Sequence, residues 1–420
     1  MANSPMPRSS RSADDVIADL AELRSDDVKW SQGRAFGMVY DGGPGVHDVA
    51  ERAAAMYLHE NALNTKAFPS LARIQSDVVS WTASLLHGPD TAAGFMTSGG
   101  TESIQVAVLA ARDRARVQRG VTNPEIVLSD TTHAAFHKSA HMYGMKVHKV
   151  ACRPDFTADV DAMARYVNDD TVLVVASAPQ YPQGVVDPVP AIAELAATVD
   201  ANCHVDACMG GFVLPFAEML GRDVEPWDFR VPGVHSISAD VHKLGYAPKG
   251  ASVVVYRNRE LRAHQTFVFS DWLGGFYASP NLQGTRSGLP MATAWAVMSY
   301  LGIDGYLELT RRTLEAADTI RQAVRSIDGL TILGDPRFHL LAIASDSSSS
   351  NPIDVFALGD ALLARGWFHD RQSPPDTLHA TVSNSNVDHL SHYLTDLHEC
   401  ATAVRGSRAD DRSTNYATLE

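Results

Sequence analysis

Cysteine is sparse in this 420-residue chain: Cys152, Cys203, Cys208 and Cys400 are the whole complement. None stands at a spacing that ligates a metal, so no metal site is expected, and free thiols point to a reducing compartment. No apolar run approaches the roughly 20 residues needed to cross a bilayer. The polar opening MANSPMPRSSRSADD is unlike a secretory leader. Basic residues are in the minority, 35 Lys and Arg against 49 Asp and Glu, and the net charge of −14 disfavours nucleic acid or an anionic membrane as partner. No internal repeat is visible, and no lysine follows a glycine-rich loop in the Walker pattern. These absences leave the expectation of a soluble, cytoplasmic protein with no membrane span.

What is there reads as α/β. The chain is long enough for a large core and two domains. The Ser-, Pro- and Arg-rich residues 1–13 and the tail RGSRADDRSTNYATLE (405–420) are expected to be disordered. Residues 14–70 form an N-terminal segment, where apolar residues at helical spacing predict a helix from Val46 to Leu63. Residues 71–289 form a large domain. There the runs GFMTS, EIVLS, KVHKVAC, TVLVVAS, CHVDA, HSISA and SVVVYR alternate with helical stretches, the pattern of a mainly parallel sheet covered by helices. TVLVVAS is apolar almost throughout, as a strand buried on both faces requires. Residues 290–404 predict a small α+β domain. Helices over 290–301 and 304–326 precede weak strands near 330–334, 338–344 and 378–383, with further helices near 353–365 and 386–404.

Four stretches carry chemistry. TSGGTES (97–103) ends a strand and opens a helix. Gly99 and Gly100 allow close backbone approach, and Ser98 and Thr101 offer hydroxyls beside the helix N-terminus, which suits a phosphate monoester. An ordinary capped turn has the same composition. HVDAC (204–208) sets Asp206 at the end of a strand, where a carboxylate holds a ring nitrogen protonated or caps a helix. SADVHK (238–243) delivers Lys243 into a loop: in a partly dry pocket a lysine forms a Schiff base, in water it is a surface residue. His242 beside it either donates to an anion or packs. SDTTHAAFHK (129–138) puts His133 between strand and helix, to stack on a planar cofactor, transfer a proton or cap. Singly, each is weak. Together, a phosphate cradle, a strand-end Asp and a loop Lys match the three anchors that pyridoxal 5′-phosphate needs.

Longer motifs sharpen this. TSGGTESIQVAVLAARDRA, SAPQYPQGVVDPVP, HVDACMGGFVLPF, DFRVPGVHSISADVHKLGYAPKGASVVVYR and DWLGGFYASPNLQGTRSG resemble sphingosine-1-phosphate lyases. These belong to the group II pyridoxal-phosphate-dependent decarboxylase branch of fold type I, the aspartate aminotransferase-like fold. The likeness runs from about Phe36 to about His392. It implies Lys243 as the Schiff-base lysine, Asp206 as partner of the pyridinium nitrogen and His133 stacked on the ring. Ser98, Gly99, Gly100, Thr101 and His242 would surround the cofactor phosphate. The resemblance further implies a homodimer with composite sites, in which GTRSG (284–288) reaches the neighbouring subunit's cofactor phosphate through Gly284 and Thr285. Lys249 and Tyr40 match the pair that holds the substrate's phosphate, and Tyr246 is a further active-site donor. The implied reaction is retro-aldol cleavage of a phosphorylated β-hydroxy amine, most simply sphingosine 1-phosphate, to an aldehyde and phosphoethanolamine.

The chain departs from that pattern in HENALNTKAFPSL (59–71). Asn64 stands where the family carries a His that contacts the substrate phosphate, Thr65 and Lys66 replace Pro and Asp, and Gln183 stands where many relatives have His. Asn donates a hydrogen bond but no charge, and a charge-assisted contact is roughly twice as strong as a neutral one. Two other readings stay open. One is an amino-acid decarboxylase, or an aldolase for a non-phosphorylated β-hydroxy amino acid, with Lys249 or Arg286 facing the α-carboxylate. The other is a non-catalytic homologue. The length of HKLGYAPKG follows the lyase pattern and disfavours the decarboxylase; Lys243, Asp206 and His133 together disfavour a lapsed enzyme.

Overall fold

The computed structural model of the chain describes residues 6–414; the first five and last six residues lie outside it. The β-rich runs of the large domain form one seven-stranded sheet. Its strands are β1 (Ala93–Thr97), β2 (Glu125–Ser129), β3 (Lys146–Val150), β4 (Thr171–Ser177), β5 (Asn202–Asp206), β6 (Val234–Ala239) and β7 (Ser252–Tyr256). The spatial order is β1-β7-β6-β5-β4-β2-β3. β2 to β6 are parallel, and β7 runs against both of its neighbours, β6 and β1. Every residue of β4 and β7 is buried, whereas edge strand β3 keeps Lys146 and Lys149 exposed, which blunts pairing with another chain.

Strand direction positions the site. β1, β2, β5 and β6 point the same way, so their C-terminal ends deliver Ser98, His133, Asp206 and Lys243 to one rim of the sheet, where ligands bind in open α/β sheets. β7 runs the other way and brings Lys249 and Ser252 back to that rim. The helix Gly100–Arg119 starts there. Ile104, Val108, Ala111 and Ala115 recur at helical spacing and face Ile126, Leu128 and Phe136. Val106, Ala107 and Ala110 face Val254 and Tyr256 on the other side. Burial on two faces fixes the helix N-terminus against the end of β1.

The small domain departs from the expected boundaries. The two helices expected over 290–301 and 304–326 are present: the helical stretch Gly288–Ser326 is broken at Gly302, whose backbone is non-helical (φ 55°, ψ −172°). The boundary expected at residue 290 falls inside the first turn of that stretch. Met291 to Leu314 pack into the large-domain core, and Ala316 to Val324 into the small one. A hairpin of β8 (Phe267–Phe269) and β9 (Tyr277–Ser279) precedes this helix. Strands β10 (Leu330–Ile332), β11 (Leu340–Ser345), β12 (Asp370–Gln372) and β13 (Thr377–Thr381) form an antiparallel sheet in the order β10-β11-β13-β12.

The N-terminal segment closes the small core. Phe36 is buried, its ring centroid 4.4 Å from that of His369 and 4.5 Å from that of Tyr393, and Ala35 bridges Phe368. Removing a ring packed in this way costs about 3–5 kcal/mol. The helix expected over Val46–Leu63 spans Pro44–Met56. Of the stretch expected to be disordered, residues 1–5 lie outside the described residues, while Arg11 pairs with Asp19 and Ser12 caps the helix Ala13–Leu23. The tail, expected to be disordered from Arg405, is docked as far as Thr414: Ala409 is buried, and Arg412 pairs with Asp354 (2.7 Å) and with Asp376 while lying over the Phe356 ring. Those partners lie in a distant part of the sequence, so the tail read alone gives no sign of them. No helix among the described residues is long and apolar enough to cross a membrane.

Candidate active site

The loops after β1, β2, β5 and β6 enclose a cavity of about 360 Å³, lined on one side by residues 98–102 and on the other by His133, Asp206, Asp240, His242 and Lys243. Lys243 Nζ lies 2.9 Å from Asp240 Oδ2, and Asp240 Oδ1 accepts from Ser252 Oγ at 2.6 Å. Asp206 Oδ1 accepts from Cys208 N (3.0 Å) and Ser238 Oγ (3.2 Å). Ser238 is held in turn by the buried His204, whose ring nitrogens contact Ser236 Oγ (2.8 Å) and Ser238 Oγ (3.2 Å). His133 Nδ1 accepts the Ala135 N–H at 3.1 Å, so the neutral ring carries its proton on Nε2. His242 Nδ1 likewise accepts from Gly250 N (3.3 Å) and Ala251 N (3.2 Å).

Burial sets the charges. It pushes His133 down, with Asp206 pulling the other way, and His242 down to about 4 against the pull of Asp240, so both rings are neutral at pH 7. Burial also opposes the Asp240 anion, yet the Lys243 ammonium, His242 and the Ser252 hydrogen bond hold it below its ordinary value. Burial, with Asp206 and Asp240 nearby, drives the Cys208 thiol far up, so this cysteine is protonated and no nucleophile.

The cradle is built by glycine. A Cβ on Gly100 would sit 2.7 Å from Cys208 Sγ and 2.9 Å from Asp240 Oδ2, and one on Gly99 3.3 Å from His242 Cε1. Glu102 Oε2 accepts both Ser98 N (2.6 Å) and Ser98 Oγ (2.8 Å), and Oε1 accepts Leu282 N (3.1 Å). The Ser98 hydroxyl proton is therefore used within the loop. The N–H groups of Gly100 and Thr101, which have no intrahelical acceptor, are the donors left for an anion. Pyridoxal 5′-phosphate fits these groups: cleared space and first-turn N–H groups for its phosphate, a lysine amine for its aldehyde, a strand-end carboxyl for its ring nitrogen and a neutral imidazole for a ring face.

The outer residues divide. Lys249 and Tyr40 come together, with Nζ 4.7 Å from the ring centroid and donating to His242 O at 3.3 Å. Lys249 stays open to water in the single chain; even so, desolvation, with repulsion from Lys243, pushes it down to about 8. Asn64 Oδ1 accepts Lys66 N at 2.9 Å in a local turn. Arg286 turns to Gln75 Oε1 (2.7 Å) and Ala62 O (3.3 Å), over the Phe95 ring, and lines a separate cavity of about 220 Å³. Gly284 and Thr285 are exposed and line no part of their own chain's main cavity.

Tyr246, expected as an active-site donor, is instead buried in the core, with Oη 3.5 Å from Thr313 Oγ1, and burial pushes it up to about 12. The turn after Lys243 is the reason: Tyr246 N bonds Lys243 O at 2.8 Å, and its φ of 59° reverses the chain. Sequence reading missed Glu102, Asp240 and Ser252. An acid three residues before the lysine in SADVHK was the available signal. A second cavity, of about 410 Å³, shares His133 with the first and is lined by Tyr181, Gln183, Asp370 and Arg371 where the two domains meet.

Known proteins are similar to this chain at several levels. The family described as the pyridoxal-dependent decarboxylase conserved domain matches residues 1–343. A sphingosine-1-phosphate lyase of Oryza sativa subsp. japonica is 40% identical over 400 residues, 93% of this chain and 73% of that protein. Sphingosine-1-phosphate lyase 1 of Rattus norvegicus is 40% identical over 402 residues, 95% of this chain and 70% of that protein. Among solved structures, a sphingosine-1-phosphate lyase from Burkholderia pseudomallei K96243 superposes with a TM-score of 0.91 at 37% identity, covering 96% of this chain and 94% of that one. A glutamate decarboxylase from Lactobacillus brevis shares the fold, with a TM-score of 0.84 at 21% identity over 96% and 95% of the two chains.

Proposed function

The chain belongs to the sphingosine-1-phosphate lyases of the pyridoxal-dependent decarboxylase family, and from that premise we propose that it is a pyridoxal 5′-phosphate-dependent carbon–carbon lyase. Its substrate is a phosphorylated β-hydroxy amine, sphingosine 1-phosphate or a near analogue, cleaved to an aldehyde and phosphoethanolamine. One observation carries the reading: Lys243, Asp206, His133 and a glycine-cleared helix N-terminus line one cavity, with a second cation, Lys249, a short loop away. An amino-acid decarboxylase needs a cation for the α-carboxylate, and Arg286, a candidate for that task, is engaged by Gln75 and Ala62.

When bound, the cofactor supplies the sink for the electron pair released by the breaking C2–C3 bond. The chain's own residues do the rest. Lys243 is the amine that would hold the aldehyde, and Asp240 stabilises its ammonium whenever it is free. Asp206, oriented by Cys208 N and Ser238, would keep a proton on the ring nitrogen. Gly100 and Thr101 N–H groups and the neutral His242 ring would donate to the cofactor phosphate, with hydrogen bonds rather than net charge. Lys249, braced on Tyr40, would hold the phosphate of the substrate.

The active unit is read as a homodimer. Exposed Gly284 and Thr285 suit a contact with a neighbouring subunit, and the β8–β9 hairpin presents Phe267 (60% exposed), Trp272 (56%) and Phe276 (73%), an apolar patch of the kind that marks an interface. Four free cysteines fit a cytoplasmic location.

Lys249 gives the reading a test. Lys249→Ala is expected to lower kcat/KM for phosphorylated β-hydroxy amines by about 10- to 100-fold, the worth of a hydrogen bond to a charged group, and to leave the unphosphorylated amines nearly unchanged. Equal losses on both remove the phosphate role. The pH dependence has a definite sign. Lys249 is charged below about 8 and loses its proton above it, so KM for the phosphorylated substrate should rise as pH climbs through 8. In Lys249→Ala that rise should vanish.

A further inference from the structure

The lyase reaction needs a group that takes the C3 hydroxyl proton as the C2–C3 bond breaks, and the main cavity is poorly supplied. His133 and His242 have Nδ1 occupied by backbone N–H groups, Cys208 is protonated, and Asp240 is paired with Lys243. The second cavity, which shares His133 as a wall, holds a different pair. Tyr181 Oη donates to Asp370 Oδ2 at 3.0 Å. The Tyr181 ring packs on that of His379 with centroids 4.0 Å apart, and His379 is fixed by Thr381 Oγ1 at 2.9 Å. The phenol is thus held by a buried ring beside it and a carboxylate at its tip.

The surroundings keep that carboxylate available. Burial pushes Asp370 up from its ordinary value, with the Tyr181 hydrogen bond pulling the other way. Its neighbour Arg371 is turned elsewhere, to Asp411 O (2.9 Å), Phe356 O (3.2 Å) and Asp360. His369 lies against His379 O and Tyr393, and burial keeps both histidines neutral. No ion pair to Asp370 exists among the described residues. The pair borders the main cavity through His133, which lines both spaces.

Resting on the lyase reading, we propose that Asp370, acting through Tyr181, is the acceptor of the substrate's C3 hydroxyl proton. The hydroxyl passes its proton to Tyr181 Oη while the phenolic proton moves along the existing hydrogen bond to Asp370 Oδ2. The C3–O bond becomes the aldehyde carbonyl, and the C2–C3 electron pair stays with the C2 fragment. Asp370 then gives its proton to water and C2 takes one up, so the count closes. Asp370 is a positioning and relay residue, and Tyr181 is the group that touches substrate.

The test uses the holoenzyme with sphingosine 1-phosphate and, as a binding probe, the same phosphorylated amine lacking the C3 hydroxyl. Asp370→Asn is expected to lower kcat by about 10²-fold or more while cofactor content and Kd for the probe stay at wild-type values. Tyr181→Phe should lose a similar factor, and the double variant should be no worse than either, because both lie on one path. Formate should restore part of the rate to Asp370→Gly and none to Tyr181→Phe. Near-wild-type kcat in Asp370→Asn, single losses that multiply in the double variant, or a loss of probe binding each overturns the relay. If wild-type enzyme fails to cleave the phosphorylated amine at all, the lyase reading falls instead.

Discussion

Lys243→Ala protein, incubated with pyridoxal 5′-phosphate and desalted, is expected to be colourless and to lose at least about 10³-fold in kcat. Within one chain the donors the cradle offers the cofactor phosphate, from Gly100, Thr101 and His242, are neutral, and the covalent hold on the ligand is the lysine amine. The visible band belongs to the lysine-bound form and disappears with it. The alanine variant carries a second cost. It leaves Asp240, a buried anion, without its cation, and breaking a buried pair from one side costs about 3–5 kcal/mol. Lys243→Arg separates the two effects, since a guanidinium keeps a positive charge beside Asp240 and cannot form the bond. Both variants should lack the band, with the arginine variant closer to wild type in thermal stability. A persistent band in either one contradicts the role given to Lys243.

Asp206→Asn should behave in the opposite way: colour kept, turnover lost. Asparagine has the same shape, and its Oδ1 still accepts from Cys208 N and Ser238 Oγ, so fold and cofactor binding survive. What the amide lacks is the negative charge that favours a protonated ring nitrogen. Without that proton the ring is a poorer electron sink at the moment the C2–C3 pair is released. The expected loss is about 10³-fold in kcat, the upper range for removing one preorganised electrostatic partner, with KM nearly unchanged. The band itself should shift in wavelength. A variant within about tenfold of wild type would mean that the ring nitrogen finds its proton elsewhere.

Strand direction and side-chain chemistry were legible to different degrees, for physical reasons. TVLVVAS and SVVVYR read as strands because burial on both faces demands continuous apolar sequence. Lys243, Asp206, His133 and the two glycines were legible because each sits at a strand end, where sequence position fixes spatial position. Residues inside turns were not. Tyr246 is three residues from Lys243, yet a positive φ sends it into the core. Asn64 is turned back on Lys66 N within its own loop, and Arg286 bonds Gln75, 211 positions away, which no pattern in its own motif announces. Asp370 and Tyr181 lie 189 positions apart and meet only where the domains close. The domain boundary was hidden because the helix after Gly302 serves both cores, Tyr306 to Leu314 the large one and Ala316 to Val324 the small one.

The most direct measurement is a product balance on the purified holoenzyme supplied with sphingosine 1-phosphate. Aldehyde and phosphoethanolamine should appear in equal amounts, matching the substrate consumed, and free β-hydroxy amines should react far more slowly. Carbon dioxide released from an amino acid, with no aldehyde formed from the phosphorylated amine, would contradict the account.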